Sequence, residues 1–156
     1  MKPLRAAIIG CGPRSYGHAN GSQISGALSL KYACDIVPER VEKAASEWGV
    51  EAVADYRTIL DDPDIEAVLV VTDVHNHLPI VRDALAAGKH IICEKPFGDD
   101  VTLAREMVRR AEETDLVAYV NFQLRFMPKL VATKQAAQDM DPMQIFFGRS
   151  RGMMKD

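Results

Sequence analysis

The stretch Ala6-Ala7-Ile8-Ile9-Gly10-Cys11-Gly12-Pro13-Arg14-Ser15 decides how this chain is read. An unbroken apolar run that meets a glycine pair has the form of a buried strand that turns sharply and opens a helix. Such a turn brings backbone N–H groups against a pyrophosphate. Gly10 permits the turn, Gly12 has no Cβ to obstruct a phosphate oxygen, and the helix beyond points its partial positive end at the anion. Pro13, Arg14 and Ser15 complete the expected phosphate-binding turn. Alone, a G-x-G-x-x-(small) match is a weak signal, because glycine turns between strands and helices are common.

Outward from this turn, strands and helices alternate. Leu4–Ile9 reads as a strand, followed by a helix from about Ser15 to Leu28 and a strand Leu30–Cys34 that ends on Asp35. Pro38 opens a helix that closes near Gly49, since the fixed φ of proline suits a first turn. Ala52–Ala54 is a short strand, Tyr56–Leu60 a helical turn, and Asp61–Asp64 a turn before the buried strand Ala67–Thr72. The helix His77–Ala87 stops at Gly88, and His90–Cys93, Val101–Thr114 and Leu116–Val120 follow as strand, helix and strand. Strands apolar on both faces, alternating with amphipathic helices, predict an α/β domain with a doubly wound parallel sheet, the Rossmann fold, over residues 1–121. Residues 122–156 behave differently. A helix is expected after Pro128 through Ala137 and a strand over Met143–Arg151, a tail too short for a core of its own.

Composition sets the outer bounds. The chain has 156 residues, 47% hydrophobic and 26% charged, with a formal net charge of −3. These values fit one soluble domain plus a fragment. With no basic block, neither nucleic acid nor a membrane surface is expected as a partner. No apolar run is long enough to span a bilayer, and Met1-Lys2-Pro3-Leu4 has no signal-peptide character, so a cytoplasmic location is expected. Cys11, Cys34 and Cys93 are widely spaced, with no C-x-x-C pair, and read as reduced structural thiols. A redox role for Cys11, inside the phosphate turn, stays open.

Asp35 stands where the second strand ends. A carboxylate there accepts hydrogen bonds from both adenosine ribose hydroxyls and repels a 2′-phosphate, which favours NAD over NADP. The other reading is a capping aspartate near Pro38. Arg40 is the counter-signal, since an arginine nearby can accommodate a phosphate. Thr72 follows the strand expected beside the first and would line the path to the nicotinamide. His75 and His77 form an H-x-H pair, but no further ligands complete a metal site, and none is expected. His77 is instead expected to begin a helix, with one of the two histidines facing the cofactor cleft. Glu94-Lys95-Pro96 follows the fifth strand. A lysine there can orient a substrate oxygen, stabilise negative charge on it or relay its proton, or it can be an exposed loop lysine.

Together these residues resemble a known family. The turn Gly10–His18, of form G-C-G-x-R-x-x-x-H, is one part, and Asp35 is another. Leu60-Asp61-Asp62-Pro63-Asp64-Ile65-Glu66-Ala67-Val68 also fits. The most specific part is Ala84-Leu85-Ala86-Ala87-Gly88-Lys89-His90-Ile91-Ile92-Cys93-Glu94-Lys95-Pro96. The chain is similar over nearly its whole length to the glucose–fructose oxidoreductase/inositol dehydrogenase (Gfo/Idh/MocA) family, and Gln123-x-Arg125-Phe126-x-Pro128 resembles that family's interdomain segment. Two departures stand out: Ser15 takes a position usually glycine or alanine, and Asp73-Val74 replace Pro-Asn.

The resemblance implies an NAD(P)-dependent oxidoreductase acting on sugars, cyclic polyols and related hydroxy compounds. It implies that Lys95 is catalytic, beside the nicotinamide and the reacting oxygen, that Glu94 belongs to the same site, and that the Lys95–Pro96 bond is cis. Arg125 would lie near the domain junction. It further implies that residues 122–156 are a linker helix and the first strand of a truncated substrate and oligomerisation domain, through which a homo-oligomer could form. Little activity is then expected from this chain alone. The alternatives are a non-catalytic dinucleotide-sensing or protein-interaction module, or transient use of NAD for hydrolysis or elimination.

Overall fold

The computed structural model describes residues 2–137, and the chain divides into two units, Met1–Phe122 and Gln123–Asp156. In the first unit β1 (Leu4–Ile9), α1 (Pro13–Ser25), β2 (Leu28–Cys34), α2 (Pro38–Trp48), β3 (Glu51–Val53) and α3 (Tyr56–Asp61) are followed by β4 (Ala67–Val70), α4 (Val74–Ala86), β5 (His90–Glu94), α5 (Val101–Glu112) and β6 (Ala118–Asn121). The strands form one parallel sheet in the order β3-β2-β1-β4-β5-β6. The order reverses between β1 and β4, and their following helices leave for opposite faces. That divergence opens a crevice at the carboxyl ends of the strands.

The two-residue period of β1 shows why both faces are covered. Ala7 and Ile9 pack with Ile59 of α3, Val81 and Ala84 of α4 and Met107 of α5. Ala6 and Ile8 point the other way, to Ala19 of α1. Beside them Ala33 of β2 packs with Val41 and Ala44 of α2. A central strand buried on both sides needs an apolar residue at every position, and this is the continuous run seen in the sequence.

Several boundaries differ from expectation, each for a local reason. Helix α1 starts at Pro13, where a missing N–H is no loss, and ends at Ser25 because Gly26 turns left-handed (φ 63°) and its N–H bonds to the Ser22 carbonyl. Leu28 is thereby free to pair with Leu4 and extend β2. Helix α4 starts at Val74, so both His75 and His77 lie on it. Strand β6 begins late because the amides of Leu116 and Val117 are used by Thr114 Oγ1 and His90 Nδ1.

At the amino edge of the sheet, Asp62 and Lys89, both part of the family resemblance, have structural work. Buried Lys89 donates to the carbonyls of Asp62 and Ile65 at 2.8 and 2.9 Å. The Asp62 carboxylate accepts from Lys31 Nζ and Tyr32 Oη. The Lys31 hydrogen bond, helped by the Asp64 amide, holds the Asp62 carboxyl down to about 2. The turn before β4 is thus tied to β2 and β5.

In the second unit a 3-10 turn, Gln123–Phe126, leads to α6 (Pro128–Ala137), which begins at the expected proline. The expected strand Met143–Arg151 lies outside the described residues. Among the described residues no helix is long and apolar enough to cross a membrane.

Candidate cofactor site

The glycine turn sits at the switch point. The Gly10 amide donates to the Cys34 carbonyl of β2 at 2.7 Å. Gly10 has φ 100°, and a Cβ there would lie 2.6 Å from the Val71 carbonyl oxygen. This glycine is demanded by the approach of the β4 end as well as by the turn. Gly12 differs: its φ is −70°, and a Cβ on it would meet nothing within 4 Å. The space in front of it is left open by the protein itself.

Helix α1 begins at this open space without a side-chain cap and without an acidic residue in its first turn. Pro13 has no amide N–H and the Ser15 amide donates to the Gly12 carbonyl, so in this turn it is the Arg14 amide that keeps its capacity for an anion. The helices α3 and α5, by contrast, are capped by the carboxylates of Asp55 and Asp100. Ser15 is fully buried, its hydroxyl donating to the Gly12 carbonyl at 2.6 Å. The extra oxygen of serine is thus satisfied inside the turn. Pro13 and Arg14 are exposed in the first turn of α1. An uncapped helix start, an unfilled cradle at Gly12 and a first turn without an acidic residue fit the pyrophosphate of a dinucleotide.

Asp35, just past β2, is drawn to the same place. Its Oδ2 accepts from the Cys11 amide at 2.7 Å and its Oδ1 from the Val37 amide at 2.9 Å. Each oxygen keeps a lone pair for another donor. Arg40 is exposed on the first turn of α2. Cys11 is buried, and burial, with Asp35 beside it, pushes its thiol up to about 12. The thiol is therefore not disposed to form the reactive thiolate.

Across the crevice lie the ends of β4 and β5. Thr72 is half-buried, with its hydroxyl toward the Asp73 carbonyl. His77 is only 2% exposed, and its ring nitrogens lie 2.8 Å from the Pro96 carbonyl and 3.0 Å from the Thr72 carbonyl. It is packed between two loops, in contrast to the open cleft position expected for one of the histidines. His75 is exposed and pairs with Asp99 instead.

Glu94 is buried, and its carboxylate is turned inward. Oε1 accepts from His18 Nε2 at 2.8 Å and Asn121 Nδ2 at 2.6 Å, and Oε2 from the Lys95 amide at 3.2 Å. Burial acts to raise the Glu94 carboxyl, but the hydrogen bonds from Asn121, His18 and Lys95 outweigh it and hold the group below the ordinary carboxylate value. Lys95 itself is exposed at the strand end, and the Lys95–Pro96 bond is cis. Sequence reasoning gave no role to His18 or Asn121. His18 entered only as the last residue of the family motif Gly10–His18, and the signal for Asn121 was its place at the end of an apolar strand.

The chain is similar to known proteins over most of its length. Residues 4–122 match the oxidoreductase family with an NAD-binding Rossmann fold, GFO_IDH_MocA. The levoglucosan dehydrogenase of Pseudarthrobacter phenanthrenivorans is 34% identical over 110 residues, 70% of this chain and 28% of that protein. The scyllo-inositol 2-dehydrogenase (NAD(+)) of Bacillus subtilis is 30% identical over 135 residues, 85% of this chain and 39% of that one. Among solved structures, the myo-inositol 2-dehydrogenase of Lactobacillus plantarum superposes with a TM-score of 0.82 at 29% identity, covering 88% of this chain and 41% of that chain. The chain therefore spans well under half the length of these relatives. It belongs to the Gfo/Idh/MocA oxidoreductase family and carries that family's NAD-binding Rossmann domain.

Proposed function

We propose that this chain is the cofactor-binding part of an NAD-dependent dehydrogenase of sugars, cyclic polyols or related hydroxy compounds. The observation that carries the reading is the placement of Asp35. Two backbone amides fix its carboxylate beside the uncapped start of α1, where it would accept the adenosine ribose hydroxyls and disfavour a 2′-phosphate. The pyrophosphate would lie on the Gly12 and Arg14 amides at the start of α1, in the cradle at Gly12, with Pro13, Arg14 and Ser15 forming its floor. Thr72 and the ends of β4 and β5 would border the nicotinamide.

When bound, NAD supplies the two-electron acceptor for oxidation of a secondary alcohol. The exposed Lys95 amine would accept the proton of the substrate hydroxyl as hydride leaves the carbon, and the ammonium so formed would stabilise negative charge on the oxygen. Glu94 holds the Lys95 main chain through the amide at its own carboxylate. The partners under this reading are the dinucleotide, a small hydroxylated substrate and a second copy of the chain. A cytoplasmic location fits the free cysteines.

Calorimetric titration with NAD and NADP tests the reading, on the chain as it is and on Asp35→Arg. The unaltered chain is expected to prefer NAD by tenfold or more, on the order of 1.4 kcal/mol, and the variant to reverse that preference. An unchanged ratio would overturn the role of Asp35, and no binding of either dinucleotide would overturn the proposal.

A further inference from the structure

We infer that His77 is a positioning residue that sets Lys95 relative to the dinucleotide turn, by bridging the backbone carbonyls that follow β4 and β5. This rests on the cofactor-binding reading above. The pairing of β4 with β5 ends at Val70 opposite Cys93. Beyond that rung the two chains part, one into α4 and the other into the loop before α5. The His77 ring spans the gap, with Thr72 O on one nitrogen at 3.0 Å and Pro96 O on the other at 2.8 Å.

A continuous set of contacts runs through this ring. The Val71–Thr72 peptide lies against Gly10, close enough that a Cβ there would collide with it. The Thr72 carbonyl meets one edge of the ring and the Pro96 carbonyl the other; both are acceptors, so the ring donates to both only with a proton on each nitrogen. Pro96 follows Lys95 directly, and proline fixes its own φ, so little freedom separates the held carbonyl from the Lys95 backbone. The ring is 2% exposed, which keeps water from competing for either carbonyl. The other ties across this gap are weaker in kind. His75 and Asp99 are paired in solvent, and Gly98 rests on the Leu78 side chain without a polar contact.

The adenosine end of the site does not depend on this bridge, because Asp35 and the α1 amides are held by β1 and β2. The inference therefore predicts a split between the two ends of the cofactor. Affinity for ADP-ribose, which lacks nicotinamide, and for NADH would be measured on the full chain, on His77→Leu and on His77→Gln. Leucine removes both polar contacts at similar volume. The glutamine amide can present two N–H donors and so restore part of the bridge.

The expected result is ADP-ribose affinity within about twofold of the unaltered chain in both variants. NADH affinity should fall about tenfold in His77→Leu, the scale of one or two hydrogen bonds, with partial recovery in His77→Gln. Without any ligand, amide exchange should quicken over residues 95–99 and stay unchanged over residues 13–19. Equal losses for both ligands, or no loss for either, would overturn the inference, as would exchange that quickens throughout. If His77→Leu does not fold, His77→Gln decides through the same ligand pair and the same exchange pattern. Failure of the unaltered chain to bind ADP-ribose would instead overturn the cofactor-binding reading itself.

Discussion

At the β1 end of the crevice, the groups that organise the site are main-chain amides. The Gly10 amide reaches Cys34, the Cys11 and Val37 amides hold Asp35, and the first turn of α1 has no side-chain cap. At the β5 end, side chains hold the site together. His77 joins two carbonyls, and Glu94 gathers His18, Asn121 and the Lys95 amide. Backbone amides come with any sequence that can make the turn. Side-chain ties depend on particular residues far apart in the chain. The first end should therefore fail through sterics alone, and the second through loss of single polar groups.

The glycines break the comparison most sharply. Gly10→Ala puts a non-glycine residue at φ 100° with its Cβ 2.6 Å from a backbone oxygen. Strain and overpacking together should cost about 3 kcal/mol or more. Gly12→Ala has ordinary φ and open space, so the fold should keep its stability within about 0.5 kcal/mol, while NADH affinity falls tenfold or more. Urea unfolding and NADH titration of both variants check this. Were Gly12→Ala to bind NADH normally, the open space before it would not be the phosphate cradle.

The same contrast explains what could be read from the sequence. Gly10, Gly12 and Asp35 were legible because a turn and a strand end are local events, and their spacing follows from strand and helix length. The alternation of apolar runs gave the sheet for the same reason. The partners of Glu94 were not legible, because His18 lies 76 residues away and Asn121 lies 27, and only the strand order brings them to one point. His77 was placed on its helix, with one of His75 and His77 expected to face the cleft, and its two carbonyl partners were not legible. The carbonyl that takes one side of its ring comes from Pro96, 19 residues on. The start of α1 was missed by two residues because Pro13 opens it, and its end by three because Gly26, not Leu28, decides where the helix stops.

Glu94→Gln should have a smaller effect than Gly10→Ala. The carboxylate faces three donors, and an amide can accept on one atom only while its NH2 confronts the others. Leaving a buried donor without its acceptor costs about 1–3 kcal/mol. The pH dependence has a definite sign. The folded carboxyl lies below its ordinary value of 4.5, so its contribution is complete above that value and is lost as pH falls through the lower folded one. As pH falls from about 4.5 the unaltered chain should lose stability more steeply than Glu94→Gln. Parallel slopes in urea midpoints would show that the cluster at the β5 end does not hold its charge in the folded state.

The smallest effect is expected at Ser15, the residue that departs from the glycine or alanine usual at its position. Its hydroxyl donates to the Gly12 carbonyl at 2.6 Å, and the Ser15 amide donates to the same oxygen at 3.0 Å. Ser15→Ala therefore removes one of two hydrogen bonds to an acceptor that stays satisfied, and it leaves no buried donor orphaned. The cost should be about 0.5–1 kcal/mol, with NADH affinity changed less than threefold. A larger loss of affinity with unchanged urea stability would show that the hydroxyl reaches the phosphate. That outcome would add a side chain to the β1 end, where the structure otherwise presents backbone amides and the Asp35 carboxylate they hold.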